Sequence, residues 1–191
     1  MFFKKARYLK RYPIENGKAV IEMVVSNFNE LFDERDPSPF RLKDLHDEVV
    51  EYIVASAKEL PLRRIGKIKI FFQNEKSLEG VQELTTAAIH SYFQYETEIM
   101  SKKIREVLSN GVKSLLIGTV FLTTSVLVSS SVHSSNESFW NIFMKEGLIL
   151  LGWVSMWKPI DVFLYEWWPL VEVKKIYSIL SEIDVDIELL K

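Results

Sequence analysis

Three segments of the chain alternate apolar and polar residues with a period of two, the pattern of a half-buried strand. In the first, Ile21, Met23 and Val25 share one face. The second covers residues 65–72, with Ile68, Ile70 and Phe72 on one side and Lys67, Lys69 and Phe71 on the other. The third is C-terminal, where Ile183, Val185, Ile187 and Leu189 alternate with Asp184, Asp186 and Glu188. The basic face of the second strand suits the acidic face of the third if the two are neighbours. Between the first two strands, Leu42, Leu45, Val49, Ile53 and Leu60 recur at helical spacing. Ser38-Pro39 offers that helix an N-cap and a first-turn proline. A shorter helical turn is expected around Phe28, Leu31 and Phe32. Strand, helix and strand of this length imply a right-handed parallel crossover. A further helix is predicted over residues 78–110, carrying Val81, Leu84, Ala88, Tyr92, Tyr95 and Ile99, and another over 169–182.

The period then disappears. Residues 114–132 hold no charged side chain, a run of 19 positions. At about 1.5 Å per residue it spans roughly 28 Å, close to the thickness of bilayer hydrocarbon. A second apolar segment runs over 139–157, with Trp140 at one end and Trp153 and Trp157 at the other, as in an aromatic belt. In this register Lys145 and Glu146 lie inside the span. The alternative register, 147–165, leaves them outside but immerses Lys158 and Asp161. Ionisable groups at such depths are candidates for function, and at the inner boundary they also serve as anchors. Lys102, Lys103, Arg105, Lys113, Lys174 and Lys175 flank the pair, whereas the connecting loop 133–138 has neither Lys nor Arg. By the positive-inside rule both termini are cytosolic and the loop is outside.

Within the first span Ser114, Gly118, Ser125 and Ser129 fall on one stripe, a face on which helices can approach closely. Thr119, Thr123 and Ser130 form a second polar stripe. It would line water in an oligomer or satisfy itself on carbonyls one turn back. Pro159 predicts a kink or restart where its ring meets the carbonyl of Ser155. Lys158 and Asp161 are spaced for pairing on one helix face.

Composition removes several kinds of chemistry. The 191 residues include no cysteine, so disulfides, thiol nucleophiles and thiolate metal sites are excluded. A net charge of −2 gives nucleic acid no electrostatic footprint. The N-terminal arm interleaves Lys4, Lys5, Arg7, Lys10 and Arg11 with Phe and Tyr. It lacks the apolar stretch of a secretory signal, and is either a solvated arm or a contact for anionic headgroups. No glycine-rich phosphate loop, HExxH or GxSxG pattern occurs, and His46, His90 and His133 are far apart. Asp33-Glu34-Arg35-Asp36, followed by Pro37-Ser38-Pro39, reads as a solvated turn with capping carboxylates rather than an acid–base or metal site. No cofactor is expected.

Asp36-Pro37-Ser38-Pro39-Phe40, Glu51-Tyr52-Ile53-Val54, Glu59-Leu60-Pro61 and the dense stretch from Gly152 to Pro169 resemble segments of a group of prokaryotic two-span integral membrane proteins. The resemblance implies that architecture and carries no reaction, ligand or catalytic residue with it. The expected fold is therefore a membrane α-helical hairpin of two transmembrane helices plus a small cytosolic α/β domain, its sheet completed by the C-terminal strand. Residues 1–112 form the cytosolic α/β part, 113–165 the hairpin, and 166–191 the last helix and strand. The expected location is the cell (inner) membrane. The expected role is that of a non-enzymatic scaffold, anchored in the bilayer and self-associating into a homo-oligomer through its first span. Its cytosolic domain would bind a protein or a small regulatory ligand. The rival is an oligomeric channel or membrane-perturbing effector using Lys145, Glu146 and the Thr119/Thr123 stripe.

Overall fold

A computed structural model describes residues 11–39, 43–75, 78, 80–131 and 139–190. The chain divides into two compact units. One is Met1–Ile99 with Val173–Lys191, and the other is Met100–Glu172.

The first unit is built on a four-stranded mixed sheet in the order β1-β2-β3-β4. β1 (Ile14–Glu15) and β2 (Lys18–Val25) form an antiparallel hairpin. Its loop is Asn16-Gly17, both at positive φ (50° and 78°). This is the backbone that a two-residue hairpin turn needs, and Asn-Gly supplies it at little cost. β2 pairs in parallel with β3 (Ile65–Phe72), which pairs in parallel with β4 (Asp184–Leu189). The C-terminal strand thus joins the sheet, as its alternation predicts.

One face of the sheet is apolar. Ile21, Ile68 and Val185 lie side by side, as do Met23, Ile70 and Ile187, and all six are buried. They join one core with Phe32, Ile53, Ala57, Ile89, Phe93 and Leu180. Leu189, expected as the fourth buried residue of β4, is instead 41% exposed at the strand's end. The opposite face carries the expected charges, paired diagonally. Lys67 bonds Asp186 at 2.6 Å and Glu15 at 2.5 Å, and Lys69 bonds Glu188 at 2.7 Å.

The first helix departs from expectation. A 3-10 turn (Phe28–Leu31) falls as predicted, but α1 covers Asp47–Glu59 and is capped by His46, whose Nδ1 accepts the Glu48 N–H at 3.3 Å. Ser38-Pro39 starts no helix. The Asp36 carboxylate accepts the N–H groups of Ser38 (2.9 Å) and Asp44 (2.7 Å), fixing the segment as a turn. Leu45 then bridges Phe32 in extended form, so its burial comes from a strand-like contact. Leu42 lies outside the described residues, as do residues 2–10 of the basic arm and the 133–138 loop. At the described end of that arm, the Tyr12 hydroxyl donates to Glu59 at 2.8 Å.

α2 runs unbroken from Val81 to Ser131, about 76 Å at 1.5 Å per residue. α3 (Phe139–Val154) follows, then a turn at Ser155-Met156, α4 (Trp157–Asp161), a π-helical segment (Val162–Glu166) and α5 (Trp168–Leu180). Two stretches, within Val81–Ser131 and Phe139–Leu180, are long and apolar enough to cross a membrane. The restart near Pro159 is where the sequence places it. Proline becomes the third residue of α4, where its missing N–H has no intrahelical role.

Candidate functional site

In the second unit, the stripe of small residues on α2 lies against the helical stretch that follows it. A Cβ added to Gly118 would lie 2.9 Å from the carbonyl oxygen of Ser155, which is backbone and has no flexible end to move aside. Ser125 and Ser129 are only 4% and 2% exposed. The Ser129 hydroxyl donates to the Lys145 carbonyl at 3.1 Å, and that of Ser155 reaches the Gly118 carbonyl at 3.2 Å. Ser114 is half-buried on the same side. The face expected to carry self-association is therefore in contact with the second apolar segment of its own chain.

Two glycines that the sequence reading passed over belong to this seam. A Cβ on Gly111 would meet the Val162 side chain at 2.6 Å, and one on Gly152 would lie 2.9 Å from Leu122 Cδ1 and 3.2 Å from Ser125 Cβ. The seam extends from Gly111 to Ser129, about 27 Å of helix. The available signal was the helical spacing of small residues, Gly111, Ser114 and Gly118 followed by Ser125 and Ser129 in the first segment and Gly152 with Ser155 in the second.

Two of the three hydroxyls of the second polar stripe are satisfied within their own helix. Thr123 donates to the Thr119 carbonyl at 2.8 Å, and Ser130 to that of Leu127 at 2.8 Å. Lys145 and Glu146 are exposed on the surface of α3, with no ion pair among the described residues. Lys158 and Asp161 do not form the pair their spacing suggests. Lys158 pairs with Glu166, eight residues on, because the wider turns of the π segment carry Glu166 back over its face. The Trp167 indole fills the Phe163 carbonyl at 2.8 Å, a partner for a π-helical backbone group.

The first unit holds a groove of about 1020 Å3 beside β2, bounded by α1 and the turn after the 3-10 segment. Val24, Tyr52, Phe71 and Leu190 give it apolar surface, and Glu22, Glu30, Asp33, Glu34 and Glu48 make it acidic. It lies toward the C-terminal ends of parallel strands, where open α/β sheets present their ligand crevices. The Arg35 guanidinium grips the Asp33 carboxylate through two of its nitrogens, at 2.9 and 2.6 Å, and holds its pKa at about 2. The nearby Asp44 is pushed above the usual carboxylate range, first by burial and then by Asp36, Asp33 and Asp47. The acidic turn thus caps and clasps, as the sequence suggests. Among the described residues no group of three or more His, Asp or Glu is placed to hold a metal ion.

The two long edges of the sheet differ. On β4 the Gln82 side chain behaves as a neighbouring peptide unit. Its Oε1 accepts the Ile187 N–H at 3.0 Å and its Nε2 donates to the Val185 carbonyl. His90 contacts the Ile183 carbonyl at 2.7 Å. On β2, Val25 bonds toward β3 and Val20 toward β1, so by alternation Glu22 and Val24 direct their backbone groups outward. The Glu22 carbonyl takes the Tyr52 hydroxyl at 2.8 Å. Beyond that bond, no described residue pairs with the outward groups of Glu22 and Val24.

Comparison with protein-family models, with curated proteins and with solved structures yields no match.

Proposed function

We propose that this chain is a membrane-anchored interaction protein whose apolar hairpin crosses the cell (inner) membrane, with the α/β unit on the cytosolic side. One observation carries the reading. β3 precedes the two apolar helical stretches and β4 follows them, yet the two strands pair along their length. Strands sharing a sheet lie on one side of any bilayer, so the intervening chain crosses an even number of times. Lysines and arginines at both flanks of the hairpin support the cytosolic side. The work of the protein then falls to the α/β unit, and its groove is the surface offered to a partner. The small-residue seam closes the hairpin, and contacts between copies are left to other faces.

The test uses the natural absence of cysteine. In intact cells Ser135→Cys should react with an impermeant thiol reagent while Asn16→Cys should react only after permeabilisation. Labelling of Asn16→Cys from outside would overturn the topology.

A further inference from the structure

The two sheet edges of the α/β unit suggest what the groove receives. We propose that the outer edge of β2 takes up an extended, lysine- or arginine-bearing peptide of a partner protein as an additional strand. This rests on the reading that the α/β unit is a partner-binding module, and it names the chemistry of the partner.

The geometry is that of an unfinished sheet. Glu22 and Val24 are two apart and turn their N–H and C=O groups away from β3, and Tyr52 satisfies just one of them. Backbone groups at this spacing, about 6.6–6.8 Å for two residues, match the repeat of an incoming strand. β1 covers only the first residues of β2, pairing at Lys18 and Ala19. From Glu22 onward the edge borders the groove. Val24 is 53% exposed there, and Phe71 lies on the neighbouring strand of the same face. An added strand would place alternate side chains on this apolar strip, the usual division between backbone affinity and side-chain choice.

Charge selects the occupant. Glu22, Glu30, Glu34 and Glu48 border the groove, while Asp33 and Arg35 there clasp each other. Lysine or arginine at the alternate positions of an incoming strand would answer these carboxylates. A second copy of this chain is disfavoured: edge-to-edge pairing would set Glu22 near its counterpart and one acidic rim against the other. The β4 edge is unsuitable for the same partner because Gln82 and His90 already occupy it.

The experiment uses the full chain in uncharged detergent micelles, with empty micelles as the blank. A fluorescent peptide alternating lysine and valine is titrated by anisotropy, beside two relatives. One carries N-methyl groups on the alternate amides that would face β2, and the other has glutamate in place of lysine. The lysine peptide should bind, more weakly as salt rises, and N-methylation should cost about tenfold or more in affinity. Val24→Pro should cost as much, because it removes an outward N–H and leaves the β2–β3 ladder its own donors. If that variant fails to fold, the methylated peptide makes the same measurement without altering the protein. Glu34→Lys with Glu48→Lys should weaken the lysine peptide and admit the glutamate one. Equal binding of the methylated and parent peptides would overturn the added strand, as would no binding of the parent at ~1 mM. Equal binding of the glutamate peptide would overturn the charge selection. None of these results bears on the labelling of Ser135→Cys, so the membrane reading stands or falls separately.

Discussion

Gly118 and Ser155 meet at the backbone: a single carbon added to the glycine would come within 2.9 Å of the serine carbonyl oxygen. Neither residue is close to the other in sequence, and the contact holds α2 against the chain beyond α3. Gly118→Leu should therefore open the hairpin, at a cost of about 1–3 kcal/mol or more for overpacking. Leu127→Ile, on the exposed side of α2, should leave thermal stability in detergent within ±0.5 kcal/mol. Equal melting temperatures for the two variants would show that the seam contributes nothing.

The same seam distinguishes hairpin closure from self-association. Ser125 Cβ lies 3.2 Å from the position of a Cβ on Gly152, near the roughly 3.5–4.5 Å of a disulfide. In a chain without natural cysteine, Ser125→Cys with Gly152→Cys should oxidise within one chain. On a non-reducing gel it should then run as a compact monomer. A crosslinked dimer as the main product would instead support self-association through this face, as the sequence suggests.

Removal of β4 should loosen the whole α/β unit. Truncation after Glu182 deletes Val185 and Ile187, each worth about 1.5–3 kcal/mol when fully buried. It also removes the hydrogen-bonding partner of β3 along Ile68 to Phe72. Since small domains have about 5–15 kcal/mol in all, residues 11–75 should become sensitive to limited proteolysis. Resistance equal to that of the full chain would mean that the sheet does not depend on its C-terminal strand.

What could be read from sequence was whatever repeats locally. The bounds of β3, the apolar faces of β2 and β4 and the lysine–carboxylate lattice all follow from a period of two, which survives in any context that buries one face. α1 starts later than Ser38-Pro39 suggests, because the Asp36 carboxylate overrides that helix-start rule by bonding Ser38 and Asp44. The β1–β2 hairpin has a local signal in Asn16-Gly17, but its two-residue strand is too short for alternation to reveal. Gly111 and Gly152 matter through what faces them, Val162 and Leu122, and no window of sequence holds both members of either pair. The groove and the β2 edge are still less local. Their lining comes from β2, the turn after it, α1 and β3, and an edge exists only once strand order is known.

Gln82 gives a test of how the β4 edge is closed. Gln82→Leu keeps side-chain bulk but leaves the Ile187 N–H and the Val185 carbonyl without their partner. An unsatisfied, largely buried backbone group costs about 1–3 kcal/mol. Hydrogen exchange at Ile187 should accelerate relative to Ile70 in the strand alongside. Unchanged protection at Ile187 would show that another group closes this edge.

Alkaline pH should destabilise the α/β unit through Tyr92. Its phenol packs against the core and lies edge-on to Phe93, with ring centroids 5.4 Å apart. Burial, followed by the charge of Glu96, raises its pKa from 10.0 to about 12. Tyr177, close by on α5, is raised by burial as well. A raised acid pKa means that the folded chain holds its proton after the unfolded chain has released it. The stabilisation is complete below pH 10 and is lost as pH rises from about 10 to about 12. Denaturant midpoints should be flat from neutral pH to the onset of that window and then fall. Tyr92→Phe keeps the ring and removes the ionisable hydroxyl, so its midpoint should fall less steeply across the same interval, with Tyr12, Tyr177 and the paired Lys67 and Lys69, whose pKa values are raised as well, supplying the remainder. Parallel curves for the two proteins above pH 10 would show that Tyr92 is no more protected from ionisation in the folded state than in the unfolded chain.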